Sequence, residues 1–426
     1  MSEHPATPAS DGAASAPARR KVLAGATLGN MVSLTPAVHS VFGLFLIPLS
    51  ESFGWPRAAI SGALGIVAVV SALLYPLVGR YADRREIWPM LVVGNVGFAG
   101  ALGLLSVLNG SLAQFYLIYF LIAMFGALPN PAVLNKLVIG AYGRRFGVAV
   151  GISGGGGNGL GATLMPVLGA LLLAAYGWRT AYLGVAAMVV ALGLPAILFL
   201  LREKSAPSAS PAVAAGEDPP VALGAVARTP VFWLIMAAFP VMAGVMTAIF
   251  GHIVPIAAER GLGVAAPTAA IGACALINAV GQPAIGWLFD RFPTPRVLLA
   301  PYLGSFVGIV LLATAMSTPL LTLGGILFGI GIATQFAALP ILLSRYFGTS
   351  NFGVIFGVMY SGMFLAQGLS PIGLDAVFDW QGSYHSALTV IEGVVLVGMG
   401  LIALLPPVGS PTRSPNLQLA HAADVD

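Results

Sequence analysis

Residues 79–89 read GRYADRREIWP and residues 286–296 read GWLFDRFPTPR. Gly79, Asp83 and Arg84 of the first correspond to Gly286, Asp290 and Arg291 of the second. The first stretch places Arg80, Asp83, Arg84, Arg85 and Glu86 within seven positions, in a chain of 426 residues of which only 8% are charged. Other matches keep the same order. YGRRFGVAVG, with Phe146 and Gly147, recurs as NFGVIFG with Phe352 and Gly353; GWRTAY at 177–182 recurs as DWQGSY at 379–384. Leu128–Pro129 matches Leu339–Pro340, and Pro48 matches Pro255. Ordered matches at offsets near half the chain are the mark of an internal duplication.

Composition sets the solvent for both copies. Hydrophobic residues make up 58% of the chain and the mean hydropathy is +0.93, whereas a soluble domain carries roughly 25% charged residues to cover its surface. The bilayer is therefore the medium. A spanning helix needs about 20 apolar residues, and twelve stretches qualify: 24–49, 58–79, 90–109, 113–140, 147–173, 180–201, 231–257, 266–289, 297–316, 319–343, 352–377 and 384–405. The expected fold is an all-α membrane protein, with twelve transmembrane helices in two pseudo-symmetric six-helix bundles. Residues 1–21 are expected to be a disordered tail, 22–201 the first bundle, 202–228 an Ala/Pro/Ser-rich linker, 229–406 the second bundle and 407–426 a second tail. The polar N-terminal tail and the long first span do not resemble a cleaved leader.

Arg19, Arg20 and Lys21 precede the first span, and most other basic residues fall in even-numbered connections. By the positive-inside rule both termini, the linker and the two charged loops face the cytoplasm, in the inner (plasma) membrane. The net charge of +4 follows from that topology and implies no nucleic-acid partner. The lone Cys274 excludes an internal disulfide and a cysteine metal site; no metal and no cofactor is expected.

Twelve spans in two related halves, a central linker, and a Gly-x-x-x-Asp-Arg motif between spans two and three with a copy between eight and nine resemble the major facilitator superfamily. The resemblance implies alternating access of a central site, with the charged loops locking the cytoplasmic side. Asp83 would accept hydrogen bonds from the start of a helix in the opposing bundle, Arg84 and Arg85 would pair with carboxylates or cap carbonyls, and Asp290 and Arg291 would do the mirrored job. Phe53–Gly54–Trp55, Arg144–Arg145–Phe146–Gly147 and Gly177–Trp178–Arg179 resemble the monocarboxylate and oxalate/formate branch. That branch carries Asn, three residues, then a carboxylate-binding Arg in span eight. Here the sequence is Asn278–Ala279–Val280–Gly281–Gln282, and no other Arg replaces it within a span.

No Gly-x-x-x-x-Gly-Lys-Ser/Thr loop is present to cradle nucleotide phosphates, so transport would be secondary. The run SGGGGNGLG at 153–161 lies in an apolar span and suits close helix approach. Pro166 follows Met165 in that span, where an efflux exchanger of the superfamily carries Gly-Pro. Pro129 and Pro131 flank Asn130 and deprive the carbonyls of Phe125 and Ala127 of their usual donors; Pro340 does the same to Phe336, beside Gln335. Polar groups at membrane depth are functional candidates by default. His39, His252 and Glu392 are the candidates for proton coupling. Asn30, His39, Tyr119, Asn130, Asn158, His252, Asn278, Gln282, Gln335, Tyr360 and Gln367 are the candidates for substrate contact. Lys136 and Asp375 lie near enough to interfaces to snorkel. The sequence points to a monomeric, proton-coupled importer of a small organic carboxylate, possibly aromatic. Alternatives are an efflux exchanger for amphipathic compounds and a non-transporting membrane receptor or scaffold. No paired carboxylates or nucleophile-base pair suggests an enzyme.

Overall fold

The computed structural model describes residues 15–142, 146–201, 223–263, 265–349, 351–381 and 383–408. Among them the regular structure is helical throughout. Eleven helical stretches are long and apolar enough to cross a membrane. One of these, Gly147–Leu201, holds two spans, because Gly177 adopts φ 80° and ψ 173° and reverses the helix there. Only glycine takes that conformation without strain. The spans are α1 (Ala16–Phe53), α2 (Arg57–Arg84), α3 (Ile87–Val107), α4 (Leu112–Tyr142), α5 (147–176) and α6 (178–201) in the first half. The second half comprises α7 (Pro230–Glu259), α8 (Ala265–Arg291), α9 (Pro295–Thr314), α10 (Thr318–Phe347), α11 (Phe352–Gln381) and α12 (His385–Ala403).

The helix α1 begins at Ala16, ahead of the boundary at residue 22 read from the sequence, because Pro17 suits a first helical turn. Of the linker, residues 202–222 lie outside the described residues, while Leu223–Val226 forms a short helix leading to α7. Residues 1–14 and 409–426 of the two tails, and Arg144 and Arg145, also lie outside them.

Several spans depart from regular helix where the sequence weakens them. α1 breaks after Met31 and continues through a π turn at Thr35–His39, where Pro36 lacks an N–H to donate. α4 breaks between Gly126 and Pro131. By contrast α10 stays helical through Pro340. In α6 a π turn at Val189–Gly193 frees the Val189 carbonyl, which accepts from the Asn95 amide of α3 at 3.3 Å.

Small residues let these spans pack, since lipid offers no hydrophobic drive to bring helices together. The glycine run of α5 serves two faces. A Cβ on Gly157 or Gly161 would collide with the α1 carbonyls of Thr27 and Met31, and one on Gly151 or Gly159 would press on Gln282 and Ala279 of α8. Outward, large apolar side chains such as Leu73, Phe199 and Trp380 are exposed, as a lipid-facing surface requires. At the end of α1, Phe53 stacks on Trp55 at 4.7 Å and meets Trp178 edge-on at 5.6 Å. The two aromatic-glycine motifs of the first half thus meet in one plug.

Candidate functional site

The two charged loops lie at one end of the molecule. Asp83 contacts Gly353 and Asp290 contacts Arg345, and these partners flank the short 348–351 connection between α10 and α11. Each carboxylate caps a helix of the other half. Asp83 Oδ1 accepts from Gly353 N at 3.0 Å and Oδ2 from Val354 N at 2.9 Å, at the start of α11. Asp290 Oδ1 and Oδ2 accept from Gly147 N at 3.2 Å and Val148 N at 3.3 Å, at the start of α5. The first N–H groups of a helix have no intrahelical partner and carry its positive pole, so a carboxylate is the favoured occupant.

A cation inside each bundle steadies each cap. Lys136 Nζ lies 2.6 Å from Asp83 Oδ1 and donates to the Ala82 carbonyl at 2.8 Å. Arg345 Nη2 lies 3.3 Å from Asp290 Oδ1, and Nη1 donates to the Phe289 carbonyl at 2.9 Å. Both cations bridge a carboxylate and the carbonyl immediately before it, so the two clamps are two-fold copies. Arg84, Arg85 and Arg291 do not take the pairing role expected of them: all three are exposed and form no ion pair with the described residues. Arg84 and Arg291 are the last residues of α2 and α8 and Arg85 follows α2, whereas Lys136 and Arg345 reach the carboxylates from α4 and α10. A sequence signal for that pair existed, because each lies five residues after a proline, Pro131 and Pro340. Pro131, rather than Pro129, is therefore the counterpart of Pro340.

Above the clamps the seam between halves is closed by backbone contact. Cβ atoms on Gly79 and Gly353 would collide with each other's helix, as would those on Gly147 and Gly286. A Cβ on Gly357 would strike the Tyr75 carbonyl, and Ser361 Oγ donates to the Ala72 carbonyl. No described glycine makes such an approach across the seam in the half of the molecule away from the motifs.

At mid-depth the seam is aromatic. Tyr75 of α2 lies 5.3 Å from Tyr360 and 5.2 Å from Phe364 of α11, which are 5.1 Å apart. His39 of α1 meets Phe364 edge-on at 6.2 Å. Its Nδ1 is buried beside the Leu34 backbone without a hydrogen bond of ordinary geometry. On the other seam, Gln282 packs against Gly155 of α5 and donates from Nε2 to Asn278 Oδ1 at 3.3 Å. Asn158 and Gln367 are half-buried on α5 and α11 and form no hydrogen bond to the described residues.

Other candidates lie elsewhere. Tyr119 is packed inside the first bundle against Phe42 and Phe115. Asn130 is used up by the break in α4: Oδ1 accepts from Val133 N at 3.1 Å and Nδ2 donates to the freed Ala127 carbonyl at 2.8 Å. The Phe125 carbonyl accepts from Leu128 N. The two carbonyls that the prolines deprive of their usual donors, those of Phe125 and Ala127, are thus both taken within the turn. Asn30 ties α1 to α5 through Ser153 Oγ at 3.0 Å, and Gln335 is buried in α10 with its Oε1 unpaired. His252 bonds through Nδ1 to the Ala248 carbonyl at 2.7 Å and lies 5.6 Å from Tyr384, within the second bundle. Glu392 is half-buried on α12, which packs on α7 and α9 away from the seam. The side chain of Asp375 lies outside the described residues. Tyr75 was not anticipated; its place one turn before Gly79 is the clue.

Residues 24–371 and 269–422 match the sequence profile of the Major Facilitator Superfamily. The chain belongs to that superfamily. Among relatives, monocarboxylate transporter 11 of Mus musculus is 27% identical over 386 residues, covering 85% of this chain and 83% of that protein. The gallate transporter of Pseudomonas putida is 24% identical over 425 residues, covering 87% and 90%. The crystal structure of the human organic anion transporter MFSD10 (TETRAN) superposes with a TM-score of 0.69 at 18% identity, over 90% of this chain and 99% of that one. This Major Facilitator Superfamily member is accordingly a multi-pass membrane transporter of all-helical fold.

Proposed function

We propose that the protein is an alternating-access importer, in the inner membrane with both termini in the cytoplasm, that carries a small aromatic carboxylate together with a proton. The observation that carries this reading is the mid-depth cluster of His39, Tyr75, Tyr360 and Phe364, which joins helices of both halves. Its rings suit a planar aromatic ligand, and its imidazole is the titratable group placed at the seam. Gln282 supplies hydrogen bonds but no charge where the monocarboxylate branch has arginine, so the proton on His39 is the positive charge that meets the carboxylate. The names of the monocarboxylate and gallate relatives support an organic acid as substrate. The two clamps hold the cytoplasmic end shut and part when the site turns inward.

Purified protein in vesicles tests the reading. With the outside acidic, benzoate and hydroxybenzoates should accumulate, their methyl esters should not, and an uncoupler should abolish the gradient. His39→Gln should lose pH-driven accumulation and keep downhill exchange. Ester uptake equal to acid uptake, or accumulation indifferent to the uncoupler, would reject it. A cell content of amphipathic dye that rises with an uncoupler would assign efflux instead.

A further inference from the structure

The arginines that take no part in the clamps border a feature that transport does not use. On the outer face of the first half, a groove of about 380 Å³ runs between α2, α3 and α4, walled by Leu77, Tyr81, Pro89, Met90, Val93 and Leu128. The unwound turn of α4 forms part of its wall through Leu128. Leu128 and Pro129 of that turn pack on Gly94 of α3, where a Cβ would press on both. The counterpart helix α10 is continuous through Pro340, so the two-fold relation that governs the clamps does not extend to this wall.

Charge stands at one end of the groove. Leu77, Tyr81 and Arg84 fall on successive turns of one helical face, and Arg80 lies one turn from Leu77. Arg80, Arg84 and Arg85 are exposed, and their side chains form no ion pair or hydrogen bond with the described residues. Glu86 is the exposed acid beside them, and Asp83 is turned into the seam and matched by Lys136. The result is an apolar slot in the membrane that ends, at the interface, in net positive charge and a half-exposed tyrosine.

We propose that this groove is a binding site for one anionic phospholipid, with an acyl chain along Leu77, Met90 and Val93 and the phosphate held by Arg80 and Arg84. Guanidinium forks suit phosphate oxygens, and basic pockets between spans are recognised sites for acidic headgroups. Because the groove lies wholly within the first half, the lipid braces α2 against α3 and α4 at the level of Gly79 and Asp83.

Native mass spectrometry of the full chain, with phosphatidylglycerol and phosphatidylcholine of equal chain length, tests the site. One phosphatidylglycerol should be retained per chain, with a preference on the order of thirtyfold from two arginines. Arg80→Gln with Arg84→Gln should bring the two lipids to parity, while Arg291→Gln with Arg296→Gln on the second half should not. Val93→Trp, which fills the slot, should lower retention of the bound lipid. Glycerophosphoglycerol, the same headgroup without chains, should not displace it. Parity in the wild-type chain, an unchanged preference in the Arg80/Arg84 variant, or displacement by the bare headgroup would overturn the proposal; the arginine variants decide the matter if Val93→Trp does not fold.

Discussion

The Asp83 side chain is 2% exposed and holds three partners at once: two backbone N–H groups of the other half and the Lys136 ammonium. Hydrogen bonds to a charged group contribute roughly 1.5–3 kcal/mol each when removed. Asp83→Asn keeps the shape of the side chain and loses its charge, so closure at the motif end should weaken by about 2 kcal/mol, shifting the open-to-closed ratio on the order of thirtyfold. Thiol labelling of cysteines placed along α2 and α11 near Gly79 and Gly353 measures this directly; labelling no faster than in the parent would count against the cap. His39 is the other single residue on which the proposed function turns, and its test is one of transport, since its imidazole contributes little packing that glutamine would not replace.

Among the helices, the break in α4 shows how a local signal is absorbed by structure. Two prolines around Asn130 suggest carbonyls opened for a ligand, yet the asparagine caps the following segment and closes the turn on itself. Asn130→Ala should cost about 1 kcal/mol in stability, as the loss of a helix cap does, seen as a lower midpoint in thermal unfolding. The KM for transported substrate should stay unchanged. A raised KM with an unchanged unfolding midpoint would return Asn130 to the binding residues. The glycine run of α5 has the opposite history: its spacing is legible as a packing surface, with Gly157 and Gly161 spent on α1 and Gly151, Gly155 and Gly159 on α8.

In the whole molecule the proposed alternating access makes the two clamps act on one equilibrium from separate seams. Their carboxylates share no partner, so their contributions should add. Asp83→Asn combined with Asp290→Asn should shift labelling at the motif end by the product of the two single shifts. A double variant no different from Asp83→Asn alone would mean that the second seam does not resist opening. The clamps are not equal, however. Lys136 approaches Asp83 to 2.6 Å, and Arg345 reaches Asp290 at 3.3 Å. The larger single shift is therefore expected at Asp83.

Hydropathy, the duplicated Gly-x-x-x-Asp-Arg motif and the ordered internal matches determined the twelve spans, the two halves and the superfamily. These features are periodic or repeated, and a bilayer demands the same apolar length wherever a helix crosses it. The helix-capping acids were legible too, because an acid in so apolar a chain needs a partner. Which cations steady them was not: Lys136 and Arg345 are distant in sequence from Asp83 and Asp290, and the nearer arginines were the natural choice until helix phase turned them outward. The same holds for the aromatic cluster. Tyr75, Tyr360, Phe364 and His39 come from three helices in two halves, and only the packing of α2 against α11, set by glycines that let backbones touch, decides that they meet.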